Sequence, residues 1–130
     1  MDNHFLKVKN YLLELECIII SESPEDGVFV IAKEEAGIKN MVVACSDPVL
    51  IIEQHLFDLK HDTPDVYKKL LQKNRDIIHG AFVLDETGKK IIFRDTLEIE
   101  NLDLNELEGS LNSLALLLSE YSDEIILYSK

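Results

Sequence analysis

Basic side chains are scarce in this chain. Thirteen lysines and arginines stand against 25 aspartates and glutamates, for a formal net charge of −12. A phosphate backbone is bound through clustered Lys and Arg, so this balance excludes nucleic-acid binding. Anionic membrane surfaces are excluded on the same ground. There is no run of 18 or more apolar residues, so no membrane-spanning helix is expected. The opening stretch, MDNHFLKVKNYLLELEC, lacks the basic start, apolar middle and small-residue cleavage site of a secretory leader. A cytoplasmic location is therefore expected. Tryptophan is absent, and there are only two cysteines, three prolines and five glycines. Cys17 and Cys45 each sit in an apolar run, where buried reduced thiols are expected; a disulfide stays open only if the two face each other.

The chemistry-bearing motifs are missing too. The glycines stand singly, so no Walker loop or GxGxxG cradle is present, and there is no GxSxG elbow. His4, His55, His61 and His79 fall in no metal-ligand spacing, and no metal or cofactor is expected. The carboxylate pairs Glu34-Glu35, Asp85-Glu86 and Asp123-Glu124 lie in turns or at a helix end, where acids are solvated and poorly placed for acid–base work. No basic residue adjoins either cysteine to favour a thiolate. The chain is not expected to be an enzyme.

What is present is enough apolar residue, 46%, for a real core, and a length of 130 residues that suits one domain over 1–130. Phe5, Val8, Leu12 and Leu15 mark a first helix by their spacing. Ile18-Ile19-Ile20 suits a pleated strand, as β-branched residues do. Turns at Ser23–Gly27 and Glu34–Gly37 then separate strands at Val28–Lys33 and Ile38–Cys45. Residues 49–59 are ambiguous. As a helix, Asp47 would cap it and Val49, Ile52, Leu56 and Leu59 would form its stripe. As a strand, Val49, Ile51, Glu53, His55, Phe57 and Leu59 would share one face. The meander of strands before it favours the strand. Thr63-Pro64-Asp65 opens a second helix that ends near Asn74. A hairpin follows, from Ala81–Leu84 to Lys90–Arg94. Asp103, with Glu106 three residues on, opens a last helix that runs to about Tyr121 and extends towards Leu127. The order α-β-β-β-β-α-β-β-α predicts an α+β fold: an antiparallel sheet of five to six strands with three helices on one side.

Leu104, Leu107, Leu111, Leu114 and Leu118 form a seam that must bury against a sheet or another helix. Gly109 in that helix costs about 1 kcal/mol against Ala, a cost that close approach of another backbone would explain. That neighbour is either a strand of the same chain or a second subunit, which makes Leu107, Gly109, Leu111 and Leu114 a candidate dimer seam. Arg75, His79 and Arg94 form a candidate polar pocket between the second helix and the hairpin; tying helix to sheet is the plainer role for the two arginines. Charge is uneven: residues 60–94 carry eight basic and five acidic side chains, net +3, while the flanking segments are strongly acidic.

The stretch LLQKNRDIIHGAFVLDETGKKIIFRDTLEIENLDLNELEGSLNSLALLLSEY resembles small bacterial proteins of the Tir-chaperone-like, or YbjN-like, group. The resemblance rests on Leu70–Arg75, Gly80–Asp85, a second strand with Arg94, and Leu102–Glu108, and covers about half the chain. It implies the type III secretion chaperone fold and a non-enzymatic, acidic homodimer that holds an extended partner polypeptide. The expected contact is edge-strand addition plus apolar sheet positions, with Val28, Val30, Ile51 and Phe57 as its residues. A regulatory homodimer without a client and a small-ligand-binding domain are the alternatives.

Overall fold

The computed structural model describes residues 3–60 and 63–130. Helix α1 (Asn3–Glu14) precedes strands β1 (Ile18–Ser23), β2 (Val28–Lys33), β3 (Ile38–Ser46) and β4 (Val49–Asp58). Helix α2 (Pro64–Asn74), strands β5 (Ala81–Leu84) and β6 (Lys90–Glu98), and helices α3 (Leu104–Glu120) and α4 (Ser122–Tyr128) follow. The strands form one antiparallel sheet in the order β1-β2-β3-β4-β6-β5. This is the α+β architecture expected, and residues 49–58 are strand. One helix more than expected is found among the described residues. The chain leaves helical dihedrals at Tyr121 (φ −113, ψ 19), whose ring sits 5.9 Å from Phe82 and under the Lys73 ammonium at 4.7 Å.

The core follows from the two periods. Along α1, Phe5, Val8, Leu12 and Leu15 fall on one stripe and are buried, with the Phe5 ring stacked on Phe29 at 4.3 Å. On the sheet, every second residue turns inward: Phe29 and Ile31, Met41 and Val43, Leu50 and Ile52, Ile91 and Phe93. Leu107, Leu111, Leu114 and Leu117 of α3 close over them. Burying one such side chain stabilises the fold by about 1.5–3 kcal/mol.

Polar ties hold helices to the sheet. The Asn74 side chain accepts from Phe82 N at 2.8 Å and donates to Phe82 O at 3.1 Å. Ser110, fully buried on α3, donates to Asp95 on β6 at 2.7 Å. Buried Gln54 accepts from Lys39 N and donates to Gly37 O, each at 3.0 Å. Asp103 caps α3 by accepting from Glu106 N at 2.7 Å. The corner into β5 requires glycine: Gly80 has φ +85, and a Cβ there would lie 2.5 Å from the Phe93 ring.

Candidate partner-binding surface

The buried positions of the sheet share one face, and the helices cover it. The opposite face is open. Strand pairing lays its side chains out in rows. One row reads Ser23, Val28, Ala44, Ile51, Thr96, and the next reads Ser21, Val30, Val42, Glu53, Arg94, Ala81. An open antiparallel face is ordinarily polar. Here Val28, Val30, Val42, Ala44 and Ile51 make a continuous apolar area across β2, β3 and β4. Ala32 and Ile18, directly paired, extend it to the edge, where Ile18 is 66% exposed. Across β4, β6 and β5 the face is mixed, with Ile92 and Val83 in the row of His55 and charged pairs beside them. Glu53 and Arg94 form an ion pair directly across the two strands, and His55 meets Asp58 at 2.9 Å.

Val28, Val30 and Ile51 therefore stand where the strand period puts them. Phe57 does not. The register of β4 against β6 shifts between His55 and Phe57, and the extra residue turns Phe57 to the helical side. There it is 4% exposed and packs against Tyr128 of α4, ring centroids 6.4 Å apart. A strict period of two cannot register a bulge, and nothing in the sequence marks this one.

The two edges of the sheet differ. At β5, the Asn74 side chain occupies the outward backbone groups of Phe82. At β1, no helix or side chain among the described residues does the same; Ile18 and Ile20 are exposed, and the register shifts between Ile19 and Ser21. Acids crowd this edge. Residues 14–35 contain Glu14, Glu16, Glu22, Glu25, Asp26, Glu34 and Glu35 against Lys33 alone. Lys33 donates to Leu15 O at 2.8 Å, and Glu22 is paired with Lys9 at 3.0 Å.

The expected dimer seam lies inward. Leu107, Leu111 and Leu114 are buried against the sheet within the chain. A Cβ at Gly109 would lie 3.4 Å from His79 Nε2, an ordinary van der Waals contact. The three residues of the expected polar pocket do not converge. Arg94 sits on the open face, Arg75 is exposed at the end of α2, and His79 packs on α3. The helix-to-sheet ties expected of Arg75 and Arg94 are made by their neighbours Asn74 and Asp95. His79 does line a groove of about 210 Å³ between the α2–β5 link and α3, below the roughly 300 Å³ at which small-molecule sites begin.

No cluster of three or more His, Cys, Asp or Glu side chains is arranged to hold a metal among the described residues; His61 lies outside them. Cys17 and Cys45 are not bridged. Burial pushes the Cys17 thiol up, Lys33 opposes this and Glu35 adds to it, so the thiol stays protonated near neutrality. Burial likewise raises the Tyr121 phenol, helped by Glu120, Asp76 and Glu124. No helix among the described residues is long and apolar enough to cross a membrane.

An antiparallel sheet backed by helices on one face and open on the other defines an α+β fold shared with type III secretion chaperones. The CesT_Tir_1 model, that of the type III chaperone family, matches residues 1–130, and the chain belongs to that family. It is similar in structure to a chain of the HopA1–SchA chaperone–effector complex (TM-score 0.67, 16% identity, 95% of this chain and 98% of that one). It is also similar to YbjN from E. coli (TM-score 0.70, 10% identity, 92% of each chain). A third likeness is to the Yersinia pestis type III secretion chaperone SycH, solved with a fragment of YscM2 (TM-score 0.59, 16% identity, 98% of this chain and 100% of that one). These identities establish the fold. No curated protein matches by sequence.

The residues sequence reasoning missed are Val42, Ala44 and Ile18, all on the open face. The signal was available for two of them: Val42 and Ala44 alternate with the buried Met41 and Val43 in β3.

Proposed function

We propose that this single-domain protein is a non-enzymatic binding module of the cytoplasm that holds an extended segment of a partner polypeptide, and that it works as a homodimer. The observation that carries this is the apolar area Val28, Val30, Val42, Ala44 and Ile51 on the helix-free face of the sheet. An isolated domain has no reason to present branched apolar side chains at the centre of a solvated face. Strand addition at β1 supplies main-chain hydrogen bonds, and the adjoining face supplies side-chain specificity. The β5 edge is closed by Asn74, which leaves β1 for the partner. The acids of residues 14–35 favour a segment that alternates apolar with basic residues, through faster encounter and rejection of acidic competitors. The SchA–HopA1 and SycH–YscM2 complexes, solved for proteins of this fold, support a polypeptide as the occupant.

The test is affinity purification from native cells with the wild-type chain and with Val30→Asp/Ile51→Asp. Both substitutions lie on the open face and leave the core intact. A partner recovered with the wild type and reduced at least about tenfold with the variant is expected, since each buried apolar anchor is worth more than about 1.4 kcal/mol. Equal recovery by both proteins would contradict the assignment of this face.

A further inference from the structure

Resting on the β1 edge proposed above as the partner's seat, we infer that Glu16 and Glu22 guard this edge: they let it accept a basic segment and refuse a second copy of the chain. β1 is the kind of edge that pairs with its own copy. Its first half, Ile18-Ile19-Ile20, is β-branched throughout, with Ile18 66% and Ile20 52% exposed. The shift in register between Ile19 and Ser21 falls inside this run and is one defence of an edge; charge is another. Two identical antiparallel strands are related by a two-fold axis, which sets one residue opposite its own copy. Centring on Ile19 sets Ile18 of each copy opposite Ile20 of the other, the most apolar match available. The same register carries Glu16 of each copy towards Glu22 of the other, twice over. Centring on Ile20 instead sets Ile18 against Glu22 and spoils the apolar match. Like charges opposed across two strands are destabilising.

The fold itself makes little use of the Glu16 side chain. Glu16 follows α1 at φ +64, in the left-handed region, where glycine or asparagine is the favoured residue of a helix end. Its N–H donates to Leu13 O at 3.0 Å, a bond that any residue but proline makes there. The side chain is exposed and forms no ion pair among the described residues. Glycine would hold the turn with less strain, so the carboxylate is what Glu16 adds. Glu22 pairs across from buried Phe29 and so leans to the helical side, where Lys9 meets it at 3.0 Å. An inward-leaning charge on an edge strand opposes edge-to-edge pairing. A second copy brings no free cation to answer these acids: its Lys9 meets its own Glu22, and its Lys33 donates to Leu15 O at 2.8 Å. Glu14, Glu25 and Asp26 beside the edge add the same sign. A partner strand with Lys or Arg at the facing positions meets both carboxylates as attraction.

The experiment is analytical ultracentrifugation of the full chain in about 50 mM and about 500 mM salt, for the wild type, Glu16→Lys, Glu22→Lys and the double variant. Each size is compared with that of the wild type at the same salt, whatever the wild-type oligomer. In a two-fold pair either single exchange turns two repulsive contacts into two attractive ones. Each single variant should therefore associate about tenfold more strongly than the wild type at low salt and lose most of that gain at high salt. Amide exchange in residues 18–23 should slow in the single variants alone. The double variant restores like charges and should return to the wild-type size, although its net charge is the least negative of the four. Glu16→Gly should melt no lower than the wild type, since the carboxylate does not hold the fold. Association that grows from single to double variant would follow net charge and overturn the guard. Single variants of wild-type size would also overturn it, while the partner face stands if Val30→Asp/Ile51→Asp still loses the partner. Self-pairing single variants with undiminished partner recovery by Val30→Asp/Ile51→Asp would overturn the partner's half of the assignment.

Discussion

Asn74 shows how much a single side chain decides here. Its amide reproduces the donor and acceptor of a neighbouring strand at Phe82 and so ends the sheet at β5. Asn74→Ala should cost about 1–3 kcal/mol, because it strands two backbone groups at a half-buried edge. The check is a thermal melt together with amide exchange at Phe82, which should speed up well ahead of its neighbours. Asp85 organises the hairpin turn in a comparable way. Slight burial raises its carboxyl, but acceptance from Thr87, Lys90 N and Lys89 N, with the Lys90 charge, outweighs this and holds it below the ordinary value. A lowered folded value means that the contribution is present above the unfolded carboxylate range, near pH 3.9, and is lost as pH falls through the folded value. Thr87→Ala should move the Asp85 titration upward in an NMR pH series. An unchanged midpoint would show that the hydroxyl does nothing for the carboxylate.

At the scale of elements, the leucine stripe of α3 packs in the core of the chain. Leu114→Ala should cost about 2–5 kcal/mol in denaturant unfolding and leave the association state of the folded protein as it was. A change in association without loss of stability would place the leucine seam at a subunit boundary after all. Most elements were legible in the sequence because each carries one clear period: α1 through Phe5, Val8, Leu12 and Leu15, β2 through the alternation of Val28 to Lys33, α3 through its leucines and the Asp103 cap. The strand at Val49–Asp58 was legible only through its neighbours, since its residues fit either period. The open face was half legible. Val28, Val30 and Ile51 follow from alternation, but the bulge before Phe57 depends on pairing with β6, a contact made 34 residues away in sequence (Phe57 with Ile91). The direction in which the α3 seam faces was illegible for the same reason: a stripe of leucines says that it is buried, not by what. The break at Tyr121 depends on Phe82 and Lys73 and leaves no local trace.

The whole molecule divides its labour by face. One side of the sheet carries α1, α2, α3 and α4 and the core; the other carries an apolar area bounded by an acidic edge at β1. A net charge of −12 favours solubility of such a surface and, on the function proposed above, would bias encounter towards basic segments. The central claim is that this open face and the β1 edge are where a partner polypeptide sits. Hydrogen–deuterium exchange of the partner-bound complex, set against the protein alone, tests it most directly. Slowed exchange in residues 18–23 of β1, with smaller changes across β2 and β3, is the expected result, since strand addition occupies the outward backbone groups of that edge. Protection confined to α3 and α4, with β1 exchanging as fast as in the free protein, would contradict it.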